Sequence, residues 1–322
     1  MFFYVYGGTM KKDKIFADRI KKRRMLTLLF TITLIILGTV IFKAMFNIKA
    51  NKDIKQASAK TNEQSIKENK DKQEKEKKEK EEKEKNKTLP IKGKNYSQVG
   101  QSFADDPAKV QKIINTGKND GKKVAYLTFD DGPSVANTTK ILDILKEKEV
   151  KATFFIMGQE LTSSKDADVI KREIAEGHAI GNHTFSHDYH KLYPGGHVDA
   201  KAFMEDVDKT NNKLKEILGQ DFHTNVVRMP GGHMSWKGTD KLDKVFEEKQ
   251  YYSIDWNVEN GDAKREKRNS AQLFDFFKNT LGNKEAIVVL MHDTQGKQST
   301  VEALPSIIDY LKKEGYEFRT IG

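Results

Sequence analysis

The sequence contains no cysteine. Disulfides and thiolate metal sites are thereby excluded, and any metal must be held by histidine, aspartate or glutamate. The same absence fits a chain working outside a Gram-positive cell. Net charge is also missing from the body of the chain. The formal total of +10 suggests a nucleic-acid surface until it is located. Residues 1–60 hold 13 Lys or Arg against 3 acids, whereas residues 89–322 hold 34 against 35. The excess surrounds an apolar segment, where it orients a membrane helix. The near-neutral remainder argues against a DNA- or RNA-binding face.

Two further stretches are defined by what they lack. Met25–Phe42 has no charged residue and follows eight basic residues within 11–24. Eighteen helical residues cross about 27 Å, close to a bilayer core. Lys43 can snorkel and extend the span to Phe46. The expectation is a cytoplasmic basic N-terminus at 1–24 and an uncleaved signal-anchor at 25–46, with everything beyond facing the wall. The span exceeds an ordinary cleaved h-region, and no small-x-small site lies near residue 44. Lys67–Lys87 is nearly without apolar residues and cannot bury a core. Residues 47–95 therefore read as a Lys/Glu-rich extracellular linker, a spacer for a tethered domain. Residues 96–121 read as an approach segment. Asp106-Pro107 opens a short helix there to Ile114, and no chemistry is assigned to it.

From residue 122 to 322 apolar runs alternate with helical patterns. The runs are Val124–Phe129, Ala152–Ile156, Ala179–Ile180, Val226–Met229, Tyr251–Trp256, Ala286–Met291 and Glu317–Ile321. The helical stretches are Thr138–Lys148, Asp166–Glu176, Ala200–Leu218, Asp240–Lys249, Ala271–Leu281 and Val301–Lys313. Such alternation predicts an α/β domain with a parallel sheet, for which barrel closure is one solution. The polar residues of interest all follow strands. Asp130 and Asp131 close the first, His183 and His187 follow the third, and Arg228 with Pro230-Gly231-Gly232 ends the fourth. Asp255 and Trp256 end the fifth, and His292 ends the sixth. In a β/α barrel the carboxyl ends of the strands share one face, so these groups would meet.

His183 and His187 are four residues apart, and on a helical turn they can grip one metal ion. With a strand-end carboxylate, nitrogen and oxygen ligands suit Zn2+, with Co2+, Ni2+ or Mn2+ as alternatives. Such an ion would polarise a carbonyl and lower the pKa of a water. His292 reads as a general acid, and Arg228 as the holder of a carboxylate. His178, His190, His197, His223 and His233 read as loop or surface residues.

Five motifs occur in order: Thr128-Phe-Asp-Asp-Gly-Pro133, His183-Thr-Phe-Ser-His187, Arg228-Met-Pro-Gly-Gly232, Asp255-Trp256 and Leu290-Met-His292. Over residues 123–322 they resemble the polysaccharide deacetylases of carbohydrate esterase family 4, with the NodB-homology domain. The anchor and spacer resemble those of Gram-positive peptidoglycan N-acetylglucosamine deacetylases. The resemblance implies a distorted (β/α) barrel of about seven parallel strands. It also implies metal-dependent removal of acetyl groups from N-acetylated sugars. Carried over by motif, Asp130 is the general base, and Asp131, His183 and His187 bind the metal. Arg228 orients Asp130, and His292 is the general acid, tuned by Asp255 or, under a shifted alignment, by Asp262. Pro230, Gly231, Gly232 and Trp256 shape the groove, with the Gly231 N–H stabilising the oxyanion. Many members carry an aromatic residue where Gly231 stands, so a sugar-facing wall is missing here. The implied partners are a cell-wall glycan and, through one N-terminal helix, a membrane. No nucleic acid is expected, and the catalytic domain is expected to be monomeric. Alternatives are deacetylation of chitin oligomers or a surface exopolysaccharide, and a non-catalytic wall-binding module.

Overall fold

The chain is described by a computed structural model over residue 75 and residues 77–322. The expected signal-anchor at 25–46 and most of the linker lie outside these residues. Among the described residues, no helix is long and apolar enough to cross a membrane. The described end of the linker is helical from 77 to 87, where its residues are almost all exposed.

Ten strands are described: β1 (Ala104–Asp105), β2 (Val124–Gly132), β3 (Thr153–Ile156), β4 (Ala179–Asn182), β5 (Val226–Val227), β6 (Tyr252–Ser253), β7 (Val258–Glu259), β8 (Ala286–His292), β9 (Glu317–Phe318) and β10 (Thr320–Ile321). The helices between and around them are α1 (Pro107–Thr116), α2 (Thr138–Glu147), α3 (Ser164–Ala175), α4 (Tyr189–Leu192), α5 (Ala200–Leu218), α6 (Asp240–Lys249), α7 (Ser270–Leu281) and α8 (Gln298–Lys313). Seven strands form one parallel sheet in the order β6-β5-β4-β3-β2-β8-β7, and β9 joins the start of β2. The two edge strands, β6 and β7, are separated in sequence only by residues 254–257. The sheet is therefore curled into a distorted barrel whose gap is spanned by a short connection.

That gap corrects one expectation. Tyr251–Trp256 does not form a single strand. Its first part pairs with β5, and the chain then crosses to pair with β8 as β7. β7 carries only one strongly apolar residue, Val258, so no hydrophobic run announces it. The third strand, expected over Ala179–Ile180, runs on to Asn182 and pairs with β3 at four positions.

β2 is central because both its faces are buried, which requires a nearly continuous apolar run. Ala125, Leu127 and Phe129 face outward into a core shared with α2, α3 and α8. Val124 and Tyr126 face inward with Phe155, Val226, Ile254 and Val288. Helix α2 presents Ile141, Leu142 and Leu145 to the outer core, and each is fully buried. Burying such a side chain contributes about 1.5–3 kcal/mol. Helix α3 is started by a reciprocal capping box between Ser163 and Asp166.

Residues 95–121 are built into the amino-terminal side of this barrel. Asp106 caps α1 with Pro107 in the first turn, and Gly117 ends it in a left-handed conformation. The helix runs two residues past the expected Ile114, and its Val110 and Ile113 join the inner core. Asn95 Nδ2 donates to the carbonyls of Ile180 (3.0 Å) and Ile321 (2.9 Å). His178 lies in the connection between α3 and β4, as expected of a loop residue, but it is fully buried and not at the surface. Its Nδ1 accepts the Ala152 N–H at 3.1 Å, and burial pushes its pKa down to about 3.

Candidate active site at the strand ends

The two adjacent acids reach one site because β2 is bulged between Asp130 and Gly132. Asp130 is still in register with Phe155 of β3 and His292 of β8, but the pairing shifts before Gly132. Asp131 has φ 68°, the left-handed region that few residues other than glycine enter. That conformation cancels the side-to-side alternation of a strand, so Asp131 joins Asp130. Beneath the turn, a Cβ at Gly132 would overlap the buried carboxylate of Asp293, so only glycine fits there. Burial pushes Asp293 up to about 7, with the nearby Asp131 and Asp130 carboxylates adding to the rise.

Asp130 is 2% exposed. A buried carboxylate needs a partner, and Arg228 Nη1 provides one at 2.8 Å. The guanidinium is itself fully buried, and four of its five N–H groups have partners. Nη1 also donates to Thr128 Oγ1 (2.7 Å), Nε to Ile254 O (2.8 Å) and Nη2 to Asp255 O (3.2 Å). Its Cζ lies 4.0 Å from the Phe155 ring centroid, a cation–π contact. Arg228 therefore holds Asp130 in one position.

His183 and His187 converge on Asp131, though not on a helical turn. The segment between them is an open loop with Thr184 at φ 63° and His187 at φ 52°. A β-branched residue rarely adopts that conformation, and long-range hydrogen bonds impose it here. Asn182 Oδ1 accepts Thr184 N–H at 2.8 Å, while Gly158 and Gln159 donate to the carbonyls of Thr184 and Phe185. Asp206 of α5, fully buried, accepts Phe185 N–H (3.1 Å), Ser186 N–H (2.7 Å) and Ser186 Oγ–H (2.7 Å) on one oxygen. Its other oxygen pairs with Lys191. Nothing in the sequence pattern singles out Asp206, because an acid on an amphipathic helix ordinarily faces water.

The Nε2 atoms of His183 and His187 lie 3.4 and 3.6 Å from Asp131 Oδ1. Ligand atoms of all three residues fall within 4.8 Å of one another. His183 Nδ1 lies 2.8 Å from the Arg228 carbonyl; donating there leaves Nε2 as the free lone pair, the tautomer a metal ligand needs. Burial, followed by the neighbouring His183, lowers the His187 pKa and favours its neutral, ligating form. Asp131 Oδ1 is buried and has no hydrogen-bond partner. An orphaned carboxylate oxygen between two imidazole nitrogens fits a divalent cation.

His292 closes the site, with Nε2 3.9 Å from Asp131 Oδ2. Its other nitrogen, Nδ1, is 2.7 Å from Asp262 Oδ1, and its N–H donates to Asp262 Oδ2 at 2.9 Å. Thr300 Oγ1 also donates to Asp262 Oδ2 at 2.7 Å. Burial opposes a charged imidazole, but Asp262, with smaller help from Asp130 and Asp131, raises the His292 pKa to about 9. The residue that holds His292 is thus Asp262, not Asp255. Asp255 instead accepts the His233 N–H at 3.0 and 3.1 Å and secures the turn after Gly232.

Pro230-Gly231-Gly232 forms a tight turn with φ 80° and 83° at the two glycines. Gly232 N–H bonds back to Met229 O, whereas the Gly231 N–H has no partner among the described residues. Trp256 flanks this turn, within 3.0 Å of where a Gly232 Cβ would stand. Beyond Trp256 and His233 a cleft of about 980 Å³ continues along Tyr252 and Gln111.

The fold and its mouth define a curled parallel β/α barrel in which Asp131, His183 and His187 could hold a metal ion, beside Asp130 held by Arg228 and His292 held by Asp262. A family model described as polysaccharide deacetylase matches residues 117–251. A peptidoglycan-N-acetylglucosamine deacetylase of Bacillus cereus is 34% identical over 200 residues, 61% of this chain and 68% of that protein. The structure of a Streptococcus mutans CE4 esterase superposes with a TM-score of 0.69 at 36% identity, covering 74% of this chain and all of that one. A wild-type CE4 family pseudoenzyme from Bacillus anthracis gives a TM-score of 0.52 at 26% identity, covering 63% and 65%. The chain belongs to the polysaccharide deacetylase family, the NodB-homology domain of CE4.

Proposed function

We propose that the chain is a metal-dependent N-deacetylase of cell-wall polysaccharide, with peptidoglycan N-acetylglucosamine as its substrate. The observation that carries this reading is Asp131 Oδ1, buried and unpartnered between two histidine nitrogens, with Asp130 and His292 on either side. The name of the Bacillus cereus relative supports the choice of sugar. The sulfur-free ligand set favours zinc. When bound, the ion supplies a Lewis acid that polarises the acetyl carbonyl and lowers the pKa of a water.

The chain's own groups divide the remaining work. Asp130, held by Arg228, takes a proton from the attacking water as the carbon–oxygen bond forms. The Gly231 N–H donates to the carbonyl oxygen as negative charge builds on it. An amine is a poor leaving group, so His292 delivers its Nε2 proton to the sugar nitrogen while the C–N bond breaks. The products are acetate and a glucosamine amine. His292 must start protonated, and Asp262 favours that form. The signal-anchor at 25–46, argued on sequence alone, would tether this activity to the outer face of the membrane.

Acetate release from purified peptidoglycan tests the reading. Release should stop with a chelator and return with added Zn2+ or Co2+. No release under any metal would sink the proposal and favour a silent wall-binding module; the Bacillus anthracis relative is a pseudoenzyme of the family. Release from chitin oligomers or exopolysaccharide alone would move the substrate.

A further inference from the structure

We infer that Tyr189 is the sugar-facing wall of this site, contacting the N-acetylated hexopyranose beside the metal triad. The inference rests on the deacetylase reading and deepens it.

Gly231 leaves the rim of the site without a side chain, yet the space beside it is filled. A Cβ built on Gly231 would stand 3.2 Å from Trp236 Cζ2 and 3.3 Å from the Tyr189 hydroxyl oxygen. The two rings therefore occupy the volume that a side chain at 231 would take. Trp236 is fixed there: its Nε1–H donates to Pro230 O at 2.8 Å, and its ring stacks on Tyr193 at 3.9 Å and 14°. Tyr189 is braced between this indole, 5.1 Å away and edge-on, and the His187 imidazole at 5.2 Å.

Its backbone is anchored too. Asp188 caps the single turn that carries it, and Lys191 in the same turn pairs with Asp206. Despite this bracing, Tyr189 is 43% exposed, and its hydroxyl has no hydrogen-bond partner among the described residues. An isolated exposed tyrosine needs no explanation. A preorganised one is different when it packs against His187 and its hydroxyl stands beside Gly231. Its open ring face suits the apolar C–H face of a pyranose, and its hydroxyl can bond a ring substituent.

Binding, measured apart from turnover, separates this inference from the deacetylase reading. Solubilised peptidoglycan glycan strands are titrated by calorimetry into the metal-loaded wild type, Tyr189→Phe and Tyr189→Ala. Losing the ring should weaken binding about tenfold, and Tyr189→Phe should recover most of that loss. Where acetate is released, the Tyr189→Ala defect should fall mainly on KM. Metal affinity by chelator competition should match the wild type. Equal glycan binding by wild type and Tyr189→Ala overturns the inference, whether or not acetate is released. So does a parallel loss of metal affinity, which would make Tyr189 a brace for His187. Retained glycan binding with no acetate release overturns the deacetylase reading alone.

Discussion

Replacing Asp262 with asparagine tests which group protonates the leaving amine. Asparagine keeps an oxygen that can accept the His292 Nδ1–H, so ring orientation and tautomer survive while the charge is lost. In the native chain Asp262 is the largest influence raising His292, whose pKa reaches about 9 against an ordinary 6.5. Burial acts in the opposite direction. Without the carboxylate the pKa should fall to or below 6.5, a change worth about 3 kcal/mol between the two protonation states. The sign follows from the role. A general acid must be protonated, so activity falls as pH rises through the pKa of His292. The wild-type alkaline limb of kcat/KM should therefore stand well above that of Asp262→Asn. With a pKa near 6.5 only about 3% of His292 carries its proton at pH 8, which predicts roughly a thirtyfold loss there and much less at pH 6. A bound cation opposes the contribution of Asp130 and Asp131 and lowers both limbs, but the gap made by Asp262 remains. The assay is acetate release from peptidoglycan across pH 5–10 with metal saturating. An alkaline limb that does not move, under a uniformly lower rate, would refute the assignment of His292 as the acid.

Four other substitutions separate roles that the geometry assigns to neighbouring groups. Asp130→Asn should keep metal affinity in chelator competition yet abolish most acetate release, whereas Asp131→Asn should lose both. Arg228→Met should lower stability by about 3–5 kcal/mol in urea unfolding, because it strands the buried Asp130 charge. The companion double variant with Asp130→Asn should recover part of that loss. Asp206→Ala releases three donors on the loop between the two histidines, at about 1–3 kcal/mol for a buried group left unpaired. Its metal affinity should fall even though Asp206 touches no ligand, and unchanged affinity would reduce it to a purely structural anchor.

The site was legible where chemistry coincides with strand ends. Asp130, Asp131, Arg228 and His292 each terminate an apolar run, and parallel strands send their carboxyl ends to one face. What escaped was set by contacts distant in sequence. His183 and His187 are brought together, but by left-handed residues at Thr184 and His187, not by a helical turn. The donors and acceptors that impose this come from Gly158, Gln159 and Asp206. Local spacing cannot encode them. Asp262 escaped first place for a related reason. It follows a two-residue strand whose pairing with β8 is made by backbone hydrogen bonds, and one valine does not make a hydrophobic pattern. The Asp-Trp at 255–256 looked like the equivalent strand end because the apolar run stops there. In fact the chain is then crossing the barrel gap between β6 and β7.

That gap bears on how acid and base are kept apart. Asp130 and His292 stand on adjacent strands at paired positions, and both approach Asp131. Their partners nevertheless come from different parts of the sheet. Arg228 reaches Asp130 from the end of β5 through the barrel interior and holds its carboxylate by a hydrogen bond. Asp262 reaches His292 from the far edge, just past β7, and favours the imidazolium. The two partners are delivered from opposite sides of the curled sheet, one from β5 next to the edge strand β6 and the other from just past the edge strand β7. A closed, regular barrel would have put another paired strand where residues 254–257 cross. The open seam lets one short segment hold the guanidinium through the carbonyls of Ile254 and Asp255 on one side and lead to Asp262 on the other. The irregularity of the barrel is thus part of what gives the Asp130 carboxylate and the His292 imidazole separate partners within one small site.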